Sequence, residues 1–336
     1  MPLISGLLPK GLAYSMPVLL TVATGQAPSQ ASAQVPTGLA PSIAATAATH
    51  ATPIRSTFTK PEEAVHALIA VVAAPTLKPL AELLGRRTLE SIPPEERQSA
   101  EVRRATGRRL AGQSFEIEYT DAARTRAVAV FGNARVRLPA LLEETRRGWT
   151  FDSEATTAAI RERRIGANEA NAIRALRTFA QAQDTFRLRD IAGDGILQYA
   201  RRIRSTPGEN DGLVATGSVP GPVISLLNEA FARAEGEPGE PTLRPVGGYA
   251  YKVLQAQGAD AEGGAISYSI KGRLSEGYAI IAWPTRPGEN GLSTFIMNHF
   301  STIFEREFGD QTATAARSIT AFNPGPGWIR VNAVEE

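Results

Sequence analysis

The chain has 336 residues, of which 43% are hydrophobic and 21% charged, and this length is typical of two compact units. Because 36 basic residues nearly balance 34 acidic ones, the net charge of +2 gives no electrostatic reason to expect nucleic-acid binding. The sequence has no cysteine, which excludes disulfides, zinc–thiolate sites, iron–sulfur clusters and thiol catalysis. Its three histidines are widely scattered. We therefore predict no cofactor and no nucleic-acid partner.

The amino-terminal segment, residues 1–33, has the pattern of a secretory signal peptide. Lys10 is its one charged side chain, an apolar run follows at 11–24, and Ala31-Ser-Ala33 forms a small-x-small cleavage site. The alternative is a membrane anchor, but the run is shorter than the roughly 20 apolar residues that a spanning helix needs. No later stretch is long and apolar enough to span a membrane. We expect cleavage after Ala33 and a soluble, periplasmic or secreted mature chain.

Residues 34–57 are rich in Ala, Thr and Pro, which predicts a linker. Order is expected from Phe58, where Thr59-Lys-Pro-Glu62 has the spacing of a capping box. The sequence then predicts helices over 64–72 and 77–84, a surface helix within 86–114, and strands at 115–119, 127–131, 134–138 and 148–151. Helices followed by an antiparallel sheet make a small α+β unit over 58–152.

The second predicted unit, 153–332, begins with the longest helical stretch of the chain. We predict one helix from Ser153 to Arg164, an interruption at Gly166, and another helix from Asn168 to Arg187 with one apolar stripe. A loop-rich region, a helix and a five-stranded antiparallel meander are expected to follow. Their ranges are 190–222 for the loops, 223–234 for the helix, 249–255, 265–271, 278–283, 293–299 and 302–307 for the strands, and 312–321 for a terminal helix.

Several short strings occur in one order along the chain. They include Gly148-Trp-Thr-Phe-Asp152, Arg163-Arg-Ile-Gly166, Asn168-Glu169, Ala180-Gln-Ala-Gln183, Ser205-Thr-Pro-Gly208, Gly248-Tyr-Ala-Tyr251 and Ala282-Trp-Pro284. From Phe58 to Trp328 the chain thereby resembles an exported bacterial family designated domain of unknown function 2950. The resemblance implies export but assigns no reaction, cofactor or catalytic residue. In addition, 58–152 looks like the cystatin and nuclear-transport-factor folds, and Asn168–Tyr199 resembles the helix and loop of pilin-like proteins.

A Gly-Asp-Gly loop is the nearest approach to a metal site. Asp190, Asp194 and Gly195 match positions 1, 5 and 6 of a calcium-binding loop, but position 3 is Ala192 and position 12 is Arg201. With so many ligands lacking, the pattern favours a turn after a helix. We predict no metal and keep Asp190 and Asp194 as weak candidates.

Two other groups of side chains are candidates for binding. Two arginines beside an amide and a carboxylate could hold a carboxylate or phosphate, although Arg–Glu pairs and helix caps at a hinge between the units are the favoured explanation. Aromatic side chains on alternating strands could line a ligand face, although such spacing is more typical of a sheet core. The candidates are Arg163, Arg164, Asn168 and Glu169 in the first group, and Tyr249, Tyr251 and Trp283 in the second.

The sequence has no G-x-S-x-G elbow, S-x-x-K motif, HExxH motif or phosphate-binding glycine loop, so no catalytic residue is predicted. We therefore favour an exported envelope protein that acts as a non-catalytic scaffold or binding protein, with an envelope protein or a small ligand as partner. The alternative is a periplasmic small-ligand binder or hydrolase with a pocket between the two units.

Overall fold

The structure is a computed structural model that describes residues 57–94, 97–215 and 226–332. The predicted signal peptide and all but the last residue of the predicted linker therefore lie outside the described residues. The chain divides into two compact units, and the division falls between Arg163 and Arg164. Helices and antiparallel sheets are both present, which confirms the mixed α+β class. No helix in the described ranges has the length and apolar character needed to cross a membrane.

Before Ser153, the described residues of the first unit form four α-helices followed by a four-stranded antiparallel sheet in the order β1-β2-β3-β4. Alternate residues of β2, including Ala127, Ala129 and Phe131, share one core with Leu68 and Val72 of α1. The elements are α1 (Pro61–Val72), α2 (Lys78–Leu84), α3 (Arg86–Glu90), α4 (Ala100–Ala111), β1 (Phe115–Tyr119), β2 (Arg126–Phe131), β3 (Val136–Thr145) and β4 (Gly148–Phe151).

Two local predictions in this unit are wrong in detail. The N-cap of α1 is Lys60 instead of Thr59, and Glu63 instead of Glu62 accepts a hydrogen bond from the Thr59 backbone nitrogen, at 3.2 Å. The third strand begins two residues later than predicted and is twice as long. It continues to Thr145 because its second half pairs with β4, which the short apolar run of residues 134–138 did not indicate.

Helix α5 (Ser153–Leu188) is continuous over 36 residues, so the predicted interruption at Gly166 is wrong. The backbone nitrogen of Ala155 donates to Asp152 Oδ1 at 2.9 Å, as expected for a capping residue. A glycine inside a helix destabilises it by about 1 kcal/mol relative to alanine, which the long flanking segments offset. The predicted apolar stripe is confirmed, since Leu176, Phe179 and Phe186 are fully buried in the core of the second unit.

The second unit is built on a five-stranded antiparallel sheet in the order β15-β14-β13-β12-β7. Every residue of β12 and β13 is buried, so these central strands are covered on both faces. In chain order the elements after α5 are β5 (Arg202–Arg204), β6 (Gly212–Val214), α6 (Glu229–Arg233), β7 (Tyr249–Leu254), β8 (Ala256–Gln257), β9 (Ile266–Ser267), β10 (Ser269–Ile270), β11 (Arg273–Leu274), β12 (Ala279–Pro284), β13 (Ser293–Asn298), β14 (Ile303–Glu307), α7 (Thr312–Ser318) and β15 (Ile329–Arg330).

Two predictions for this unit need correction. Residues 265–271 do not form a strand of the main sheet, because β9 pairs with β8 and β10 pairs with β11 in two small separate sheets. The fifth strand of the main sheet is instead the short β15, which pairs with β14. The helix predicted over 223–234 is limited, in the part of it that the structure describes, to the five residues of α6.

Candidate functional site

A polar cleft of about 690 Å³ lies in the second unit, near the carboxyl end of α5. Its volume falls within the range of about 300–1,000 Å³ that is usual for small-molecule sites. Three segments line it: the end of α5 with the loop that follows, the connection from β5 to β6, and the turn between β10 and β11. The lining residues are Phe186, Ala192, Gly193, Asp194, Gln198, Tyr199, Arg201, Gly208, Glu209, Asn210, Asp211, Lys271, Gly272 and Arg273.

The first segment is shaped by a turn at the end of α5. Asp190 and Gly195 both have a positive φ, and the Gly195 backbone nitrogen donates to Asp190 Oδ2 at 3.0 Å. Further along, the backbone nitrogen of Tyr199 donates to the Leu274 carbonyl oxygen at 2.8 Å, so the segment pairs with the end of β11. This pairing brings the Gly-Asp-Gly loop to the cleft.

Gln183 ties the same segment to α5. Its side-chain Nε2 donates to the Ala200 carbonyl oxygen at 2.9 Å, and its Oε1 accepts from the Ala200 backbone nitrogen at 2.8 Å. The side chain is fully buried, so both polar ends of the amide are satisfied where an unpaired amide would be strongly unfavourable. Our sequence analysis missed this role, although a polar residue within the apolar stripe of a helix is a signal for it.

The second segment is held by Asp211, whose side chain is only 11% exposed. Its Oδ1 accepts from the Thr206 backbone nitrogen at 2.7 Å, and its Oδ2 accepts from the Thr206 hydroxyl at 2.9 Å and from Arg201 Nη2 at 3.1 Å. Arg201 also lies 3.6 Å from a carboxylate oxygen of Glu209. One largely buried carboxylate thus fixes both the loop and the position of the arginine.

The third segment is the two-residue turn between β10 and β11. Lys271 and Gly272 both have a positive φ, at 49° and 79°, which is the geometry of a type I′ hairpin turn. Arg273 Nε donates to Asp194 Oδ2 at 2.9 Å, and Gln198 Nε2 donates to the same oxygen at 3.0 Å. The hydrogen bond from Arg273 is the main reason that the pKa of Asp194 lies below its ordinary value.

The charges that line the cleft balance, with Asp194, Glu209 and Asp211 facing Arg201, Lys271 and Arg273. The aspartates are committed to the contacts just described, whereas each cation keeps donors that are unused. Among the described residues, no acceptor is bonded to Lys271 Nζ, to either Nη of Arg273, or to Nε and Nη1 of Arg201. The site can therefore offer several cationic donors to a ligand.

The structure places Asp190 and Asp194 in this same region. Their carboxylates accept from the backbone nitrogens of Gly195 and Ile196, and Asp194 also pairs with Arg273. No group of three or more side chains suited to a metal ion occurs within the described ranges. These contacts are those of a turn and an ion pair, and a metal-binding role for either aspartate stays a prediction.

The structure places the polar group of candidate binding residues elsewhere. Arg164, Asn168 and Glu169 hold the loop between β12 and β13 within the second unit. Arg164 Nε donates to the Glu289 carbonyl oxygen at 3.2 Å, Asn168 Nδ2 donates to that of Asn290 at 2.9 Å, and Glu169 Oε1 accepts from the Leu292 and Ser293 backbone nitrogens. Arg163 belongs to the first unit, where its Nη1 donates to the Arg137 carbonyl oxygen. A ligand-binding role for these residues stays a prediction.

The aromatic candidates lie in the core of the second unit and do not line the cleft. Tyr249, Tyr251 and Trp283 are each at most 1% exposed. The Tyr249 hydroxyl donates to the Ser293 carbonyl oxygen at 2.8 Å, and burial raises the pKa values of both tyrosines. Their observed contacts are those of a sheet core, and a role in binding stays a prediction.

Fold and cleft together define a two-unit α+β protein whose second unit carries an open polar site. Residues 55–331 match the family model described as "Protein of unknown function (DUF2950)". Since this match covers most of the chain, the protein belongs to that family, which confirms the resemblance found in the sequence. Searches of the curated proteins and of the solved structures gave no match.

Proposed function

We propose that this protein is an exported, non-catalytic binding protein that holds a small polar ligand in the cleft near the end of α5. The observation that carries the proposal is the arrangement of charged side chains around the cleft. Asp211 holds Arg201, and Asp194 hydrogen-bonds to Arg273, so the fold itself positions both guanidinium groups. Side chains that are already held in place lose less conformational entropy when a ligand binds.

The lining of the cleft supports binding over hydrolysis. Of the described residues that line it, none is a serine, threonine, cysteine or histidine, which are the side chains of the commonest nucleophile–base pairs. Asp211, one of its carboxylates, is largely buried and accepts three hydrogen bonds.

Export is part of the same proposal. Its support is the order of one basic residue, an apolar run and a small-x-small site within residues 1–33. Amino-terminal sequencing of the protein from its native host should return Gln34 as the first residue, in the periplasmic or secreted fraction. A chain that retains residue 1 or 2 would contradict it.

The finer fold relationships belong here too. A four-stranded antiparallel sheet that follows helices supports a cystatin-like or nuclear-transport-factor-like first unit. A helix packed with an antiparallel sheet supports a pilin-like second unit. An experimental structure compared with those folds would test both.

The binding role can be tested on the mature protein purified from its native host. Native mass spectrometry should detect a bound small molecule, and adding the released molecule back should raise the melting temperature by mass action. Asn210→Trp, which places a large ring in the cleft, should abolish both effects, whereas Arg161→Ala, at an exposed position that does not line the cleft, should leave both unchanged. A ligand that Asn210→Trp binds as well as the parent would place the site elsewhere.

A further inference from the structure

Lys271 occupies an unusual place in the cleft. It is the first central residue of a type I′ turn, with φ at 49°, a position that favours asparagine, aspartate or glycine. Its side chain is exposed and, within the described residues, takes part in no hydrogen bond or ion pair. Because no described residue pairs with it, the ammonium group of this cleft-lining lysine is available to a ligand.

Arg201 and Arg273 are the other two cationic residues that line the cleft. Each uses one nitrogen to bind a less exposed carboxylate, and the remaining nitrogens of its guanidinium group are free for another partner. A planar guanidinium oriented in this way matches the two oxygens of a carboxylate. All three cations line the same cleft.

The charge balance selects among anions. Asp194, Glu209 and Asp211 also line the cleft, so a ligand with two negative charges on one group is repelled by carboxylates that it cannot avoid. A carboxylate carries one negative charge and therefore needs fewer positive neighbours than a group with two negative charges. The amide side chains of Gln198 and Asn210 and the backbone of the three glycines supply neutral hydrogen-bonding groups suited to hydroxyls or amides.

We propose that the cleft takes a small organic molecule with one carboxylate and several hydroxyl or amide groups, and that Lys271, Arg273 and Arg201 bind its carboxylate. This inference rests on the proposed binding function and names the ligand class of the same site. It makes Lys271 a ligand-contacting residue.

The test uses titration calorimetry on the full mature chain with three matched sugars: D-glucuronate, D-glucose and D-glucose 6-phosphate. We expect glucuronate to bind at least tenfold more tightly than glucose and more tightly than the phosphate. N-acetyl-L-alanine against its N-methylamide repeats the comparison with an amide-bearing acid. Tighter binding of the phosphate, or equal binding of acids and neutral analogues, would overturn the inference.

Lys271→Asn supplies the decisive variant, because asparagine suits the type I′ turn while removing the charge. It should weaken glucuronate binding by about tenfold and leave the melting temperature unchanged or higher. Arg161→Ala, which removes a charge that does not line the cleft, should leave the affinity unchanged. If a co-purified neutral ligand binds and Asn210→Trp abolishes its binding, the carboxylate inference is wrong while the binding function stands. If nothing binds, both are wrong.

Discussion

Replacing Glu169 with alanine removes the acceptor that holds the loop between β12 and β13 to α5. Its Oε1 accepts from the backbone nitrogens of Leu292 at 2.9 Å and Ser293 at 3.1 Å. A hydrogen bond to a charged group contributes about 1.5–3 kcal/mol. Because one oxygen serves both donors and Leu292 is 41% exposed, we expect a total loss of about 2 kcal/mol. At about 2–4 °C per kcal/mol for a unit the size of Arg164–Glu336, the melting temperature of the second unit should fall by about 4–8 °C.

Glu169→Gln is the matched control, because it keeps an oxygen that accepts both hydrogen bonds and removes only the charge. We expect it to lose about half as much stability as the alanine variant, since charge-assisted hydrogen bonds are roughly twice as strong as neutral ones. Urea denaturation followed by circular dichroism gives the free energy of unfolding of each variant. A loss below about 0.5 kcal/mol for alanine, or equal losses for both variants, would refute the reasoning, since ordinary surface substitutions fall within that range.

Three further predictions use the same measurements. Arg164→Ala should lower the free energy of unfolding by about 2–3 kcal/mol, because the side chain is 5% exposed and donates to the Glu289 carbonyl oxygen. Arg161→Ala, at an exposed position of the same helix, should change the free energy of unfolding little. Equal effects of the two substitutions would contradict this reasoning. Gly166→Ala should stabilise by about 0.5–1 kcal/mol, because nothing lies within 4 Å of the added Cβ and the helix continues through this position; a destabilised variant would mean that the helix is interrupted after all. Burial lowers the pKa of His299, so just below about pH 6.5 the folded state binds fewer protons than the unfolded state. The free energy of unfolding should therefore decrease as the pH falls through that window. His299→Gln should flatten this dependence on pH, and an unchanged slope would assign it to other groups.

Local patterns in the sequence were sufficient for the parts of the fold that depend on neighbouring residues. The apolar stripe from Ala172 to Phe186 identified the buried face of α5, because residues three and four apart lie on one side of a helix. Runs of apolar residues located β7, β12 and β13 for the same local reason. The ordered short strings were sufficient to indicate the family.

Periodicity failed where pairing between distant residues decided the outcome. Residues 265–271 alternate as a strand does, yet they divide between two small sheets, because Gln255 and Tyr199 offer backbone partners to Tyr268 and Leu274. Glycine propensity suggested a break at Gly166, but 36 residues of continuous helix outweighed one unfavourable position.

The sequence did not predict the cleft, because the cleft also depends on contacts between residues that are distant in the chain. Asp194 was noticed only as an incomplete calcium ligand, and nothing local connects it with Arg273, which is 79 positions away. Lys271 drew no attention in the sequence, since only the backbone shows that it occupies a left-handed turn. Composition and periodicity indicated the main helices and strands and the buried apolar stripe of α5. The tertiary structure alone decided which loops come together, because strand pairing and buried side chains such as Gln183 set those distances, and neither leaves a regular spacing in the chain.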